Sequence, residues 1–450
     1  MQVSKCRVNP ILPLVLCSLI SALLRGQDLP RAVTGFDRAL LRSMVYAADS
    51  LIRARRFAAA ESAFEAVLAA DSFSVAGHSG LAFAILHDSA TRRSRAFALD
   101  EYRRALRLAP ANSLIHVRYA EALLPWRFGP EDRKPGSDSA LMAEAMRHLY
   151  RALELSPGRA DPHLGLYLVY LAQGKGDSAS AQLKALLDQN FFPQPALDFA
   201  YCLLVSADSG GYVFTNGDID TYPALALQAG TGLRRDVTIV NIPLLSVPWY
   251  VMGMKQERRL PVSFSAAQLE SLQPKYDRKS AQTLSPGQRV LHDVIGNHER
   301  LRAGLYFSLT VDRQIMEPFK PGLSLEGFVY RLTNLSRNVP VNRVRCFENL
   351  TRNYRIPDPG QGLSWKTNSS PLTRDFSGMA VDCAAAFFAL ADEYRYQGEI
   401  VKASGFCRQA GSILIAAGKW SVFEKVLDYW LKMSPDDTEA LRLKREYRGR

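Results

Sequence analysis

Histidine and cysteine are scarce in this sequence, seven and six among 450 residues, and neither occurs in a reactive pattern. There is no C-x-x-C and no Cys/His ligand spacing, which excludes the common zinc sites. No G-x-G-x-x-G, P-loop or G-x-S-x-G occurs, and no histidine stands at motif spacing from a nucleophile. His148 and His163 fall inside helical patterns and read as surface or packing residues. No metal, cofactor or catalytic residue is therefore expected, and the chain reads as leaning away from enzyme function. A bilayer-spanning run is missing as well. The eighteen uncharged residues Val237 to Met254 contain Asn241, Pro243, Ser246 and Pro248, which suits a buried strand and turn better than a spanning helix. There is also no aromatic-interleaved basic stripe, so the formal charge of +12 does not point to nucleic acid. The densest basic cluster, Arg442 to Arg450, suits a helix C-terminus.

The first 26 residues differ from the rest. Lys5 and Arg7 precede an uncharged run, Ile11 to Leu24, closed by Arg25. As a helix this run would rise about 21 Å, short of a ~30 Å hydrocarbon core. Residues 1–26 are read as a secretory signal, or as a retained N-terminal anchor, the one route by which the chain would meet a membrane. Either reading exports the chain to the periplasm or cell envelope. Signal removal leaves Cys202, Cys346, Cys383 and Cys407. Cys383 and Cys407 suit the two helices of one hairpin, as a disulfide or as separate buried thiols.

Self-similarity near 34 residues is the strongest pattern present. A tetratricopeptide hairpin needs small residues where its helices cross and a large one beside them. Its second helix therefore reads small, large, small, followed by a stop. Ala60, Phe64 and Val67 fit, as do Ala98, Tyr102 and Ala105 before Pro110. Ala145, Leu149 and Ala152 before Pro157 repeat the spacing, and Ala403, Cys407 and Ala410 repeat it again. A looser copy ends at Pro435. Gly165 and the turn at Gly174 to Gly176 mark a further hairpin. Hairpins of this kind must stack to bury their apolar faces, which produces a curved surface suited to proteins or peptides. The insertion PWRFGPEDRKPGS, residues 125–137, places Trp126 and Phe128 inside the third hairpin, as a tolerated loop or an interaction loop.

From about residue 207 the helical pattern stops. Tyr212 to Thr215 reads as a strand. Thr221 is read as the cap of a helix ending at Gly230 or Gly232, and VTIVNIPLL as a second strand. Strand, helix, strand predicts a right-handed βαβ unit. Further strands are expected at Leu260 to Phe264, Gly304 to Val311 and Phe328 to Leu332. Asp218 and Asp220 follow the first strand, where α/β sheets bind ligands. They can hold a cation or a sugar hydroxyl, or serve the turn and helix start locally. The fold class is thus mainly α with an α/β insert. Tetratricopeptide-like repeats are expected over 38–205, an α/β domain over 207–345, a linker over 346–376 and C-terminal repeats over 377–447.

The run GYVFTNGDIDTYPALALQAGTGLRRDVTIVNIPLLSVPWYV resembles a block in bacterial protein O-mannosyltransferase-like membrane proteins, in the soluble part after their transmembrane helices. NHERLRAGLYFSLTV and LSLEGFVYRLTN are similar to later blocks, so the resemblance covers about 207–435. It marks Asp218, Asp220, Thr221 and Asp236 as matched motif positions. The resembled proteins carry their catalytic acid in a membrane half that these residues do not match, so glycosyl transfer is not implied. The expectation is an exported interaction scaffold, with an accessory role in O-glycosylation, recognising a glycan or acceptor chain, as the alternative.

Overall fold

The computed structural model describes residues 38–88, 90–91, 93–124, 138–277, 282–301, 303–333, 339–355 and 376–447. The signal-like segment 1–26, the loop bearing Trp126 and Phe128, and most of the expected linker lie outside the described residues. Contacts divide the chain into two compact units, Met1–Gly165 and Leu166–Arg450.

The first unit is helical: α1 (Arg38–Arg53), α2 (Phe57–Ala70), α3 (Val75–His87), α4 (Arg95–Leu108), α5 (Ser113–Leu123) and α6 (Asp138–Leu155), with α7 (Asp161–Ala172) starting at its end. Each of α1 to α6 packs on its sequence neighbour, and alternate helices α1, α3 and α5 also touch. Ser74, Ser94 and Asn112 cap α3, α4 and α5 by accepting bonds from first-turn amides. The repeat positions Ala60, Phe64, Val67, Ala98, Tyr102, Ala105, Ala145, Leu149 and Ala152 are at most 1% exposed.

Small and large residues interlock across the helices. A Cβ on Gly80 of α3 would lie 2.3 Å from the Phe64 ring of α2, and one on Gly165 would lie 2.9 Å from Leu149. These glycines are set by close approach rather than by backbone freedom. His78 and His116 occupy the same place in consecutive repeats, and each ring nitrogen Nε2 contacts a carbonyl six residues back, Ser72 or Pro110, at 3.0 Å. The other nitrogen meets Glu101 from His78, and His148 from His116 at 2.7 Å. His148 is thus a packing residue of a polar seam, and burial followed by His116 lowers its pKa to about 4.

The second unit holds a mixed sheet among helices. After α8 (Gly176–Asp188) and α9 (Gln194–Ser206) come β1 (Tyr212–Thr215), α10 (Asp218–Thr231), β2 (Thr238–Asn241), α11 (Pro248–Glu257) and α12 (Ala266–Glu270). A hairpin, β3 (Lys275–Asp277) with β4 (Gln282–Leu284), precedes α13 (Pro286–Gly296) and β5 (Leu305–Ser308). The short α14 (Arg313–Met316), β6 (Leu323–Leu325), β7 (Val329–Leu332) and α15 (Arg343–Glu348) complete this region. The helices α16 (Gly378–Tyr396), α17 (Ile400–Ala416), α18 (Trp420–Met433) and α19 (Thr438–Tyr447) follow as neighbouring pairs. The five-stranded sheet has the order β2-β1-β5-β7-β6. β1 is parallel to β2 and β5, with Tyr212 opposite Thr238 and Leu305, and β7 is antiparallel to both its neighbours. Its interior is aromatic: Phe214, Phe307, Phe328 and Tyr306 are fully buried. The chain is mainly α with an α/β insert, and the βαβ unit is present as β1-α10-β2.

Two local expectations are corrected. Thr221 is not the helix cap, because α10 starts three residues earlier at Asp218. The Asp220 carboxylate accepts the Asn216 and Gly217 amides, which starts the helix before Thr221. Leu260 to Phe264 joins no sheet: the Val262 amide turns back to the Leu260 carbonyl at 2.8 Å, the Ser263 amide donates to Asp293 at 2.6 Å, Lys255 donates to the Phe264 carbonyl, and Pro261 has no amide proton to give. Strands β3, β4 and β6 were not expected from the sequence. Cys202, Cys346, Cys383 and Cys407 are buried free thiols. Among the described residues no helix is long and apolar enough to cross a membrane.

Gly80→Ala forces Phe64 aside and is expected to cost about 1–3 kcal/mol in urea unfolding, whereas Gly158→Ala, with nothing within 4 Å of the new methyl group, leaves the midpoint unchanged. His148 favours its neutral form in the fold. Its contribution is present above the unfolded pKa near 6.5 and is lost as pH falls toward about 4. Denaturation midpoints of the chain followed from pH 7 to pH 4 should decline less steeply in His148→Asn.

Candidate functional site

Two places concentrate polar side chains, one in each unit. In the first unit a cavity of about 430 Å³ opens among α3, α4 and α5, lined by Phe83, Arg93, Arg95, Tyr102, Arg118 and Glu121, among others. Arg93 is held by Glu61 and Glu65. The Arg118 guanidinium lies 4.9 Å above the centre of the Phe83 ring, and its Nε is buried without a hydrogen-bond partner among the described residues. The Arg118 charge also reaches Asp49 of α1, whose pKa is raised by burial and held back by Arg118 and then Arg53.

In the second unit, the parallel strands β2, β1 and β5 end side by side at Asn241, Thr215 and Ser308, all buried. Thr215 and Thr221 share a hydroxyl bond of 2.6 Å, and Asn241 Nδ2 donates to Thr221 at 3.0 Å. Ser308 meets Thr310 at 2.7 Å, and the Thr310 hydroxyl donates to Asp220. Asp220 is fully buried; it also accepts the Asn216 amide at 2.9 Å and the Gly217 amide at 3.1 Å. Burial pushes its pKa up, and the Thr310, Asn216 and Gly217 donors oppose the shift. Asp382 of α16 is coupled to this carboxylate. Burial, then the charge of Asp220, lifts the Asp382 pKa to about 6, with Arg313 pulling the other way.

The four candidate residues divide between the two ends of the sheet. Asp218 is exposed in the first turn of α10, beside buried Asp220 and Thr221. Asp236 lies before β2, at the opposite end. There Arg234 grips it with two bonds of 2.9 Å, and the Gly210 amide adds a third at 3.3 Å. The Arg234 guanidinium holds the Asp236 carboxyl far below the usual range. Asp236 therefore ties together the loops entering β1 and β2. Thr310, Asn241, Arg313 and Asp382 escaped sequence reasoning. Asp382 did leave a signal, as the single charge in MAVDCAAAFFALA. Among the described residues, no group of three or more His, Cys, Asp or Glu residues is placed to hold a metal ion. The titratable groups of the cluster are the carboxyls of Asp220 and Asp382, and the Thr310 hydroxyl donates to the first of them.

Comparison with known proteins gives two partial family matches. Residues 142–197 match the tetratricopeptide repeat family, and residues 196–277 match "TMEM260-associated domain 2". No curated protein matches. Among solved structures, the thermophilic tetratricopeptide protein TTC0263 of Thermus thermophilus is 18% identical, covering 52% of this chain and all of its own, with a TM-score of 0.33. A MamA mutant is 15% identical, covering 39% of this chain and 89% of its own, with a TM-score of 0.26. The human IFIT1 dimer with m7Gppp-AAAA is 15% identical, covering 97% and 74%, with a TM-score of 0.30. At these scores the likenesses add nothing to what the helices show by themselves.

Asp382 has a raised pKa in the fold, so the folded chain binds its proton more tightly than the unfolded chain. Stability is then lost as pH rises from about 3.8 to about 6. Asp382→Asn removes this penalty and should melt higher than the parent at pH 7. It should melt no higher at pH 4, as differential scanning calorimetry would show.

Proposed function

We propose that this chain is an exported, non-catalytic scaffold of the cell envelope that binds a protein or peptide through its tetratricopeptide hairpins. The repeats support a protein–protein interaction role, and the observation that carries the reading is the cavity over α3 to α5. Phe83 stacked under Arg118, with Arg93 and Glu121, lines it, so an incoming peptide would meet an aromatic ring and charges of both signs. Export rests on Lys5, Arg7 and the short apolar run before Arg25. A link to protein O-glycosylation rests on the resemblance of 207–435 to the mannosyltransferase-like proteins, to which the family matched at 196–277 is only loosely related. In that second reading the Asp218 loop, with Asp220, Thr221 and Asp382 behind it, contacts a glycan or acceptor chain. The Thr310–Asp220 hydrogen bond behind the exposed Asp218 is the observation in its favour.

A photo-crosslinking residue at Glu121, used in the native host, should capture one protein partner, and Arg118→Ala should lose it. A chain that crosslinks to no protein, or equally well in the variant, does not bind through this cavity. Glycan-array binding abolished by Asp218→Ala with Asp382→Ala would favour the second reading.

A further inference from the structure

Residues 340–342 cover one edge of the sheet. At β6 the Leu325 amide donates to the Pro340 carbonyl and the Asn342 amide donates to the Leu325 carbonyl, both at 2.9 Å. The other edge leaves polar groups unused. At β2, Thr238 and Ile242 turn their amides toward β1, donating to Gly211 at 2.8 Å and Thr215 at 3.0 Å. Strand alternation then turns the backbone groups of Val237, Ile239 and Asn241 outward. The Val237 carbonyl accepts from Gln228 Nε2 at 2.7 Å, and the Asn241 amide donates to the Tyr250 phenol at 3.0 Å. Between these two, the Ile239 N–H and C=O meet no hydrogen-bond partner among the described residues, although Ile239 is only 5% exposed.

Two phenols at the same place are unfilled as well. Tyr167 is 6% exposed, and its hydroxyl has no hydrogen-bond partner among the described residues. Tyr250 accepts the Asn241 amide, but its own O–H proton meets no acceptor among them. Burial pushes the pKa of both phenols up, that of Tyr250 to about 12, so each keeps its proton. Ile239, Tyr167 and Tyr250 line one cavity of about 430 Å³, a size usual for small-molecule sites. Trp249 and Met254 give it apolar surface. Its charged lining is balanced: exposed Asp177 and Glu257 offset exposed Arg235 and Arg258.

We propose that this cavity binds one or two residues of a neutral saccharide. Its wall presents the Ile239 N–H and the Tyr167 and Tyr250 O–H groups as donors, and the Ile239 carbonyl and the Tyr167 oxygen as acceptors. A sugar hydroxyl both donates and accepts, so neighbouring hydroxyls on one ring satisfy a mixed set that an apolar ligand would leave unpaired. The balanced lining selects against net charge, because an anion would meet Asp177 and Glu257 and a cation would meet Arg235 and Arg258. The C–H face of the ring packs against Trp249. An extended peptide fits less well. One of its residues brings a single N–H and a single C=O, and Gln228 and Tyr250 already hold the strand positions on either side of Ile239. The cavity uses no residue of the repeat cavity or of the Asp218 loop, and it stands whatever either of those binds.

The test uses the full chain with free maltose, cellobiose and diacetylchitobiose at millimolar concentration, read by hydrogen exchange of the segment containing Ile239. At least one of the three should slow exchange there by about tenfold. Tyr167→Phe removes only the unpartnered hydroxyl. It should weaken that sugar by about tenfold while the melting temperature holds, since the hydroxyl holds nothing in the free fold. Gly253 lies in the cavity wall with nothing within 4 Å of an added Cβ, so Gly253→Phe fills the cavity while α11 is kept, and it should abolish the protection. Glycan-array binding that survives Asp218→Ala with Asp382→Ala but not Gly253→Phe would assign the sugar to this cavity rather than to the Asp218 loop. Four results overturn the proposal: no protection by any of the three sugars, protection that survives Gly253→Phe, a lower melting temperature in Tyr167→Phe, or stronger protection by the neutral peptide Ac-Thr-Val-Phe-Thr-NH2 than by any sugar. Because Gly253 and Glu121 lie in different units, failure here leaves the crosslinking result above untouched.

Discussion

Close approach of paired helices is the constraint on which the other features depend. Phe64 enters the space left by Gly80, and Leu149 that left by Gly165. In the second unit Leu187 of α8 lies against Gly230 of α10, where a Cβ would sit 2.6 Å away. Phe64 and Leu149 are thereby fully buried against bare backbone, and Leu187 half-buried. Full burial of one such side chain is worth about 1.5–3 kcal/mol, and the small partner permits it without strain. The Phe64–Gly80 and Leu149–Gly165 locks join the second helix of one hairpin to the first helix of the next, and Leu68 against Gly77 adds another between α2 and α3. Stability must therefore be shared with the next hairpin, and the surface made by stacking follows from that sharing.

Helix α10 joins the two architectures of the second unit. It is the crossover of the βαβ unit, and it packs on α8 and α9 as a further repeat helix would. Its N-terminal end is held by Asp220, which also reaches Thr310 beyond β5. Its C-terminal end turns through Gly232, at φ 76°, into the Arg234–Asp236 pair. The sheet's short strands are thereby clamped at both ends by side chains rather than by long ladders. Of the matched aspartates only Asp220 is buried; Asp236 is exposed but gripped by Arg234, and both hold loops, while Asp218 is exposed in the first turn of α10.

The repeat positions were legible because a helix reports its contacts at fixed spacing. Ala98, Tyr102 and Ala105 can be read without a partner in view. The βαβ unit was legible for a similar reason, since β-branched runs flank a helix with a glycine stop. Leu260 to Phe264 misled because it has strand composition, while its hydrogen bonds go to Asp293 and Lys255, which are remote in sequence or on another face. Thr221 misled because threonine caps helices well, yet a buried carboxylate one residue earlier outcompeted it. Asp382 and Thr310 could not have been assigned to the Asp220 cluster, since they lie far along the chain and only the tertiary fold brings them together. The candidate site was thus half readable: its loop could be named, and the groups that tune it could not.

An open sheet edge is a hazard that proteins suppress, because it templates pairing with other chains. This sheet suppresses it on one side with residues 340–342. On the other it spends two side chains, Gln228 and Tyr250, on the residues either side of Ile239 and none on Ile239 itself. Covering all three would have needed only one more polar side chain, and the neighbouring wall instead carries Trp249 and Gly253, one able to pack on a ligand and the other leaving it room. A fully open edge would aggregate and a fully closed one would be inert. Gln228 and Tyr250 do for this edge, at the Val237 carbonyl and the Asn241 amide, what the Pro340 to Asn342 backbone does for the other.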